Sequence, residues 1–385
     1  MTASAVFARD TPRYIESPTG RLDKHPQNVW LRWGVRLAVA VLFGALVLWF
    51  DASAQHDWSN TANAALAERV AAIGWGTPGV DVISELYPPI TSIIAIVVPG
   101  GALGLGLAGA AVAGLTLQLV VQSMKRKHFA PWVRTVFVFT LALSPAYAYI
   151  VTTNLEAALG LMFFGLGMLD LVRFVTYANT QAGFRSGLLF ACSALSDSTG
   201  VFAALVAAGA GALIIQSRPR ARWANAVVVV FPTLALFGAL GLLGIAFSNG
   251  PFAMVRGDLH WDPARANAYT QSITSPAGLL YLAPTILVLA TAVALGYWGV
   301  GLVAVLLTGM TGMAFVLGLT PPGTAGNTFV MMLLLAVAIV PTAPTLRYAL
   351  LTAAAAVLLY VSGWAAAMHQ TSIASWLGIL TGAGS

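Results

Sequence analysis

Apolar runs of about twenty residues recur along this chain, most of them closed by a charged or proline-rich break, and few folds are open to a chain built that way. Hydrophobic residues make up 58% of the 385 residues, and Asp, Glu, Lys and Arg only 8%. No soluble domain of this length hides that much apolar surface. In lipid every backbone polar group must pair within the protein, and the runs are too long and too uniformly apolar for the alternating ten-residue segments of a barrel. The expected fold is all-α: a polytopic integral membrane protein of about eleven transmembrane helices.

Basic residues orient it. Of the 19 Lys and Arg residues, all but Arg69, Arg256 and Arg265 fall on one side of a single alternating topology. That side is cytoplasmic by the positive-inside rule, which places the N-terminus inside and the C-terminus outside a cytoplasmic membrane. The net charge of +6 then comes from membrane anchors, so no nucleic-acid partner is expected. The single cysteine, Cys192, excludes an intramolecular disulfide and a cysteine-based metal cluster.

Residues 1–32 read as a cytoplasmic tail, 33–365 as the transmembrane helical domain and 366–385 as an outer tail. The N-terminus lacks the layout of a signal peptide, so the first span, near Arg36 to Phe50, stays as an anchor. An outer loop over 51–90 follows, and its middle has helical spacing suited to the membrane surface. The second apolar run, about Ile90 to Met124, is overlong and carries Pro99-Gly100. The third contains Pro145, and the fourth ends at Arg173. Residues 186–216 have basic residues on both flanks, so one helix cannot cross there. Two short helices meeting in the polar stretch 193–200 resolve this, since broken helices are tolerated where they line a cavity. Further spans fit near 227–247, 277–296, 299–318, 327–342 and 346–365, with a second outer loop over 248–275. The many glycines suit close helix approach.

Most carboxylates fall at the outer ends of spans. Asp51 directly follows the first span and Asp57 lies six residues on. Such a pair can hold a divalent cation, Mg or Mn, through oxygen ligands, or accept a proton from a sugar hydroxyl; equally, carboxylates cost little in an external loop. Glu85 and Tyr87 precede Pro88-Pro89, which fixes the chain before a span. Glu156 leads a helix after the turn "TTNLE", a place a carboxylate favours in any case. Asp197 lies at the helix break, where a carboxylate near lipid needs a cavity or a partner. Arg256, His260 and Arg265 share the later outer loop, and arginine suits fork-like contacts with phosphate. No nucleotide, haem or flavin is expected, since the P-loop, dinucleotide-binding and H-E-x-x-H patterns are all missing.

Together these pieces resemble the GT-C superfamily of multispanning glycosyltransferases, which use polyprenyl-phosphate-linked sugar donors. The resemblance is one of layout over roughly residues 33–250: a first span ending in "LWFDASAQHD", a long outer loop closed by "ELYPPI", then "LSPAYAYIVTTNLEAALGLMFFGL" and "RSGLLFACSALSDSTG". It implies that Asp51 is a catalytic base or metal-site residue, that Glu156 is a second acidic site residue, and that Arg256 or Arg265 meets the donor phosphate. Membrane lipid and a lipid-linked sugar would be its partners. The chain is short for the superfamily, no soluble C-terminal domain follows the spans, and "SDSTG" has no basic residue of its own. These departures keep open a non-catalytic relative that serves as a subunit beside a membrane-protein partner. A secondary transporter or lipid flippase would also show broken helices and small-residue packing, although its polar groups would gather at the midplane rather than at the outer ends.

Overall fold

The computed structural model describes residues 24–75, 82, 85–126, 129–177, 179–198, 200–214, 222–247, 250, 261–294, 298–318 and 346–382. Among the described residues the chain is helical and contains no strand. Four helices among the described residues are long and apolar enough to cross a membrane: α1 (Val29–Ser53), α4 (Gly101–Arg126), α7 (Leu155–Tyr177) and α10 (Arg222–Phe247). The pair α5 (Pro131–Ala142) and α6 (Pro145–Thr153) meets at 58° and counts as a fifth if it forms one broken span. Pro145 opens α6 at N1, where its missing N–H costs nothing, and the bend falls just before it.

The other elements are α2 (Ala62–Ala71), α3 (Pro89–Val97), α8 (Thr180–Ser196), α9 (Gly200–Ile214), α11 (Pro263–Thr274), α12 (Pro276–Ala294), α13 (Trp298–Val316), α14 (Leu346–His369) and α15 (Thr371–Thr381). The overlong second run divides at Pro99-Gly100: α3 is a separate short helix, and the crossing element begins at Gly101. α8 and α9 meet at Asp197–Ser198, inside the polar stretch expected to part them, but α8 starts at Thr180 rather than near 186. Within the expected 366–385 tail, Thr371–Thr381 forms a helix. α15 packs back on the bundle, with Trp376 against Phe50 and Tyr149 at ring separations of 6.5 and 5.7 Å.

Helices in lipid gain little from hiding apolar surface from one another, so their association rests on close contact and interhelical hydrogen bonds. α4 shows how. A Cβ on Gly106 would stand 2.8 Å from the Thr152 carbonyl oxygen, and one on Gly109 would run into that of Val151. α6 therefore lies backbone to backbone on the glycine face of α4. The same face receives α1 in antiparallel register, with Arg36 beside Gly114 and Gln118, and Val47 beside Gly106. α7 and α8 also run antiparallel: Gly160 meets Asp197 and Gly167 meets Phe190. Outward-facing apolar side chains such as Leu42 and Trp49 on α1, and Phe231 and Leu242 on α10, give these helices a lipid-facing surface.

The register gives the bundle two chemically distinct ends. At one lie the C-terminus of α1, the N-termini of α4 and α7, the C-terminus of α8 and helix α15. It carries Asp51, Glu156 and Asp197 and is called the acid end below. The opposite, basic end carries Arg32, Arg36, Lys125, Arg134, Arg173 and Arg185, with Asp170 paired to Arg173 and Arg185 at 2.9 and 3.0 Å.

Candidate functional site

The acid end is built by the segment after α1 folding back over the bundle. Asp51 is the third residue from the C-terminus of α1 and is 7% exposed. Its backbone carbonyl accepts the His56 N–H at 2.9 Å, closing a turn in which Gln55 and His56 adopt left-handed φ of 52° and 66°. That turn returns two side chains to the carboxylate: Trp58 Nε1 donates to Oδ1 and His56 Nδ1 lies against Oδ2, both at 2.7 Å. A carboxylate only accepts, so the His56 proton facing it sits on Nδ1, and Nε2 is the ring nitrogen turned away from Asp51. The His56 side chain is 79% exposed, whereas Trp58 is buried edge-on to Phe50.

Asp57 does not share these partners. It is exposed, and its carboxylate accepts the Ser59 N–H at 2.9 Å. The hydroxyl and N–H of Ser59 hold the Asp57 carboxyl below the ordinary carboxylate range. Among the described residues no three His, Cys, Asp or Glu side chains form a group that would hold a metal ion.

A second polar group lies deeper, where α2 and α3 meet the N-terminus of α7 and the C-terminus of α8. Asn63, 1% exposed, fastens α2 there: its Nδ2 donates to the Thr152 carbonyl at 3.2 Å, and its Oδ1 accepts the Leu155 N–H at 2.8 Å. It therefore satisfies backbone groups that the break between α6 and α7 leaves open. One turn and a half further along α2, Arg69 donates to Glu156 at 2.5 Å and to Ser92 Oγ at 3.4 Å. The Glu156 side chain is 7% exposed and stands in the first turn of α7, where the helix dipole favours its charge.

Tyr87 closes this layer. It is 2% exposed and its hydroxyl donates to the Ala194 carbonyl at 3.1 Å. Burial, with the carboxylates of Asp197 and Glu156 close by, pushes the Tyr87 phenol well above its ordinary range, so it stays a donor. Thr91 donates to the Ser196 carbonyl at 3.1 Å, again on α8. Asp197 is 2% exposed and lies against Gly160, where an added Cβ would come within 2.7 Å of its own Cβ. The two groups are continuous. Trp58, which holds Asp51, lies against Gly106, which faces the Thr152 carbonyl that Asn63 grips beside Glu156.

Of the residues singled out in the sequence, Glu156, Tyr87 and Asp197 come together, and Asp51 stands beside them through Trp58. Glu85 is apart: it accepts the Gly74 N–H at 3.4 Å and closes its own loop. Arg265 lies on α11, 3.5 Å from Asp262 and from the Phe315 carbonyl, with its guanidinium over the Phe315 ring. Asp262 caps α11 through the N–H groups of Ala264 and Arg265. Arg256 and His260 lie outside the described residues. Sequence reasoning missed His56, Asn63, Arg69 and Ser92 as parts of the site. Arg69 had a signal, being the lone basic residue among the carboxylates of the 51–90 loop; the others had none.

Comparison of the chain with protein-family models, with curated proteins and with solved structures finds no match.

Proposed function

We propose that this protein is a membrane glycosyltransferase of GT-C type that moves a sugar from a polyprenyl-phosphate donor to an acceptor hydroxyl at the outer face of the cytoplasmic membrane. In this reading the basic end is cytoplasmic and the acid end faces outward. α1, α4, the α5–α6 pair, α7, α8, α9, α10, α12, α13 and α14 then count as crossings, and the remaining span expected near 327–342 lies outside the described residues.

The observation that carries the proposal is the Asp51–His56 pair: a buried carboxylate at the end of a long apolar helix, in contact with an exposed imidazole at 2.7 Å. The acceptor hydroxyl gives its proton to the pair, its oxygen bonds to the sugar's anomeric carbon, and the bond from that carbon to the phosphate oxygen breaks. Polyprenyl phosphate leaves with the bonding electrons. Arg256 and Arg265, with His260, neutralise the charge that develops there. Glu156, Tyr87 and Asp197 shape the sugar-facing wall, and Glu85 and Asp57 orient substrate at the mouth. Asp51 and Asp57 are the residues that would hold a divalent cation, but Asp57 is turned to Ser59 and Asp51 to Trp58 and His56, and no step is routed through a metal. The energy lies in the lipid-linked donor, so no nucleotide is consumed.

Membranes carrying wild type, Asp51→Asn or His56→Gln, supplied with labelled polyprenyl-phosphate sugars, test this. Transfer is expected to fall at least about a hundredfold in both variants, within the range a positioned base contributes. Equal turnover in wild type and Asp51→Asn would exclude Asp51 from the chemistry.

One observation favours a second reading. Glu156 is already neutralised by Arg69, and Tyr87 crosses the space beside it, as befits a GT-C-like body kept as a non-catalytic subunit. Mild-detergent purification followed by mass measurement separates the two. A stoichiometric, salt-resistant membrane-protein partner supports the subunit, and a monomer retaining polyprenyl lipid supports the transferase.

A further inference from the structure

We propose that the basic end carries a site for the phosphate headgroup of an anionic phospholipid, formed by Arg36, Lys125 and Arg134 around His25, between α1, α4 and α5. It lies roughly 30 Å along α4 from the acid end, at about 1.5 Å per residue, and does not depend on the transfer reading.

The cluster is tied together without an acid. Arg36 donates twice to Gln118 Oε1, at 3.1 and 2.8 Å, and Gln118 Nε2 donates to the His25 carbonyl at 2.7 Å. Lys125 Nζ lies 2.8 Å from His25 Nδ1, and Arg134 is near enough to act on the same ring. Arg32 adds a further cation, its guanidinium donating to the Pro26 carbonyl at 3.0 Å. No described Asp or Glu forms an ion pair with Arg32, Arg36, Lys125 or Arg134. Arg134 Nε is buried and lacks a hydrogen-bond partner among the described residues. The neighbouring basic group is different in kind, because Arg173 and Arg185 share Asp170. Like charges crowded around a half-buried imidazole are unfavourable alone and favourable around an anion.

The surroundings say which anion. Trp30, Trp33 and Trp132 are 85%, 55% and 42% exposed, and the Arg36 guanidinium stacks 4.7 Å over the Trp33 ring. Exposed tryptophans at the ends of spans mark the depth of lipid headgroups. A phosphate at that depth receives a lysine ammonium and an arginine fork together, and its acyl chains continue along the apolar flank of α1.

The test uses the full chain in mild detergent, titrated with cardiolipin, with phosphatidylcholine and with inorganic phosphate, and bound lipid is counted by native mass measurement. Wild type is expected to take cardiolipin ahead of phosphatidylcholine, with inorganic phosphate failing to displace it. Lys125→Gln/Arg134→Gln is expected to weaken cardiolipin binding about 30-fold, at about 1 kcal/mol for each basic residue near an anionic headgroup. Lys125→Arg/Arg134→Lys should restore it. Equal binding of the two lipids by wild type overturns the proposal. So does unchanged cardiolipin affinity in a glutamine variant that elutes like wild type, and so does displacement by inorganic phosphate, which would mark a soluble-anion site. Should the glutamine variant fail to fold, wild type alone decides. Cardiolipin held by these cations weakens as salt rises, and salt-independent binding overturns the site.

Discussion

At the acid end two of the carboxylates meet donors fixed by the fold: Trp58 and His56 on Asp51, Arg69 on Glu156. At the basic end, Arg36 meets a glutamine, and Lys125 and Arg134 face a histidine. Both ends sit beside lipid, yet the Asp51 and Glu156 carboxylates are held inside the protein, whereas this cationic cluster, unlike the Arg173–Asp170–Arg185 group near it, has no acid partner among the described residues. Burial explains the difference. Glu156 is 6% exposed and would be costly without a partner, so the chain supplies a guanidinium from a helix otherwise unneeded for crossing the membrane. Lysine and arginine at the ends of spans reach water and headgroups on long stems, and need no internal partner. The acid-end carboxylates are thus held by contacts between distant segments, Asp51 by the turn after α1 and Glu156 by α2.

Breaking the buried ion pair gives the largest expected effect. Arg69→Leu leaves Glu156 charged in a dry layer and should cost on the order of 3 kcal/mol of stability, read as a lowered unfolding midpoint in detergent. Arg69→Leu/Glu156→Leu should regain most of that loss. At the basic end Arg185→Leu should cost under about 1 kcal/mol, because Arg185 is half exposed and Arg173 still holds Asp170. Equal losses from Arg69→Leu and Arg185→Leu would erase the contrast between the two ends.

Close packing sharpens the same contrast at a smaller scale. Gly109→Ala drives a methyl into the Val151 carbonyl and should cost about 1–3 kcal/mol, as overpacking does. Gly34, near the basic end of α1, has nothing within 4 Å of an added Cβ. Gly34→Ala should therefore be neutral or stabilise by up to about 1 kcal/mol through helix propensity. Asn63→Ala should cost roughly 1–3 kcal/mol, because it strips the Leu155 N–H and the Thr152 carbonyl of their partner. Thermal unfolding of the three variants side by side ranks them, and a Gly34→Ala penalty matching that of Gly109→Ala would contradict the packing account.

Much of this architecture is visible in the residues themselves. Apolar runs announce helices in lipid, Pro99-Gly100 and the polar stretch around Asp197 announce breaks, and Asp51 and Glu156 stand at helix ends because charges do not cross a bilayer cheaply. What holds those charges is hidden. Arg69 and Glu156 are 87 residues apart, and no local pattern joins them. His56 reaches Asp51 only because Gln55 and His56 turn left-handed, which neither residue type advertises. The final residues read as a tail because their apolar spacing is too short for a span, and only packing against Phe50 and Tyr149 makes them a helix of the acid end. The number of crossings is equally hard to read from helix length. α8 and α9 are 17 and 15 residues long, shorter than a typical span of about 20.

The smallest expected effect is a pH dependence confined to the basic end. Partial burial, then the charges of Lys125 and Arg134, lower the His25 pKa from its ordinary 6.5. With the folded value below the unfolded one, the unfolded chain binds more protons in the window just under pH 6.5, so stability falls as pH drops through it and is fully present above it. Among the described residues, Lys125, Arg134 and Arg36, the last reached through Gln118, are the charged groups around the ring, and none is an acid that would reverse the sign. His25→Gln removes the titrating group, so the wild-type advantage at pH 8 should shrink at pH 5.5, measured as the difference between the two unfolding midpoints. An anionic headgroup seated among the same cations offsets their charge and stabilises imidazolium. Cardiolipin should therefore flatten the wild-type pH profile and leave that of His25→Gln unchanged. A profile that cardiolipin does not alter would separate His25 from the headgroup site, and the basic end would then be a set of independent anchors rather than a single receptive surface.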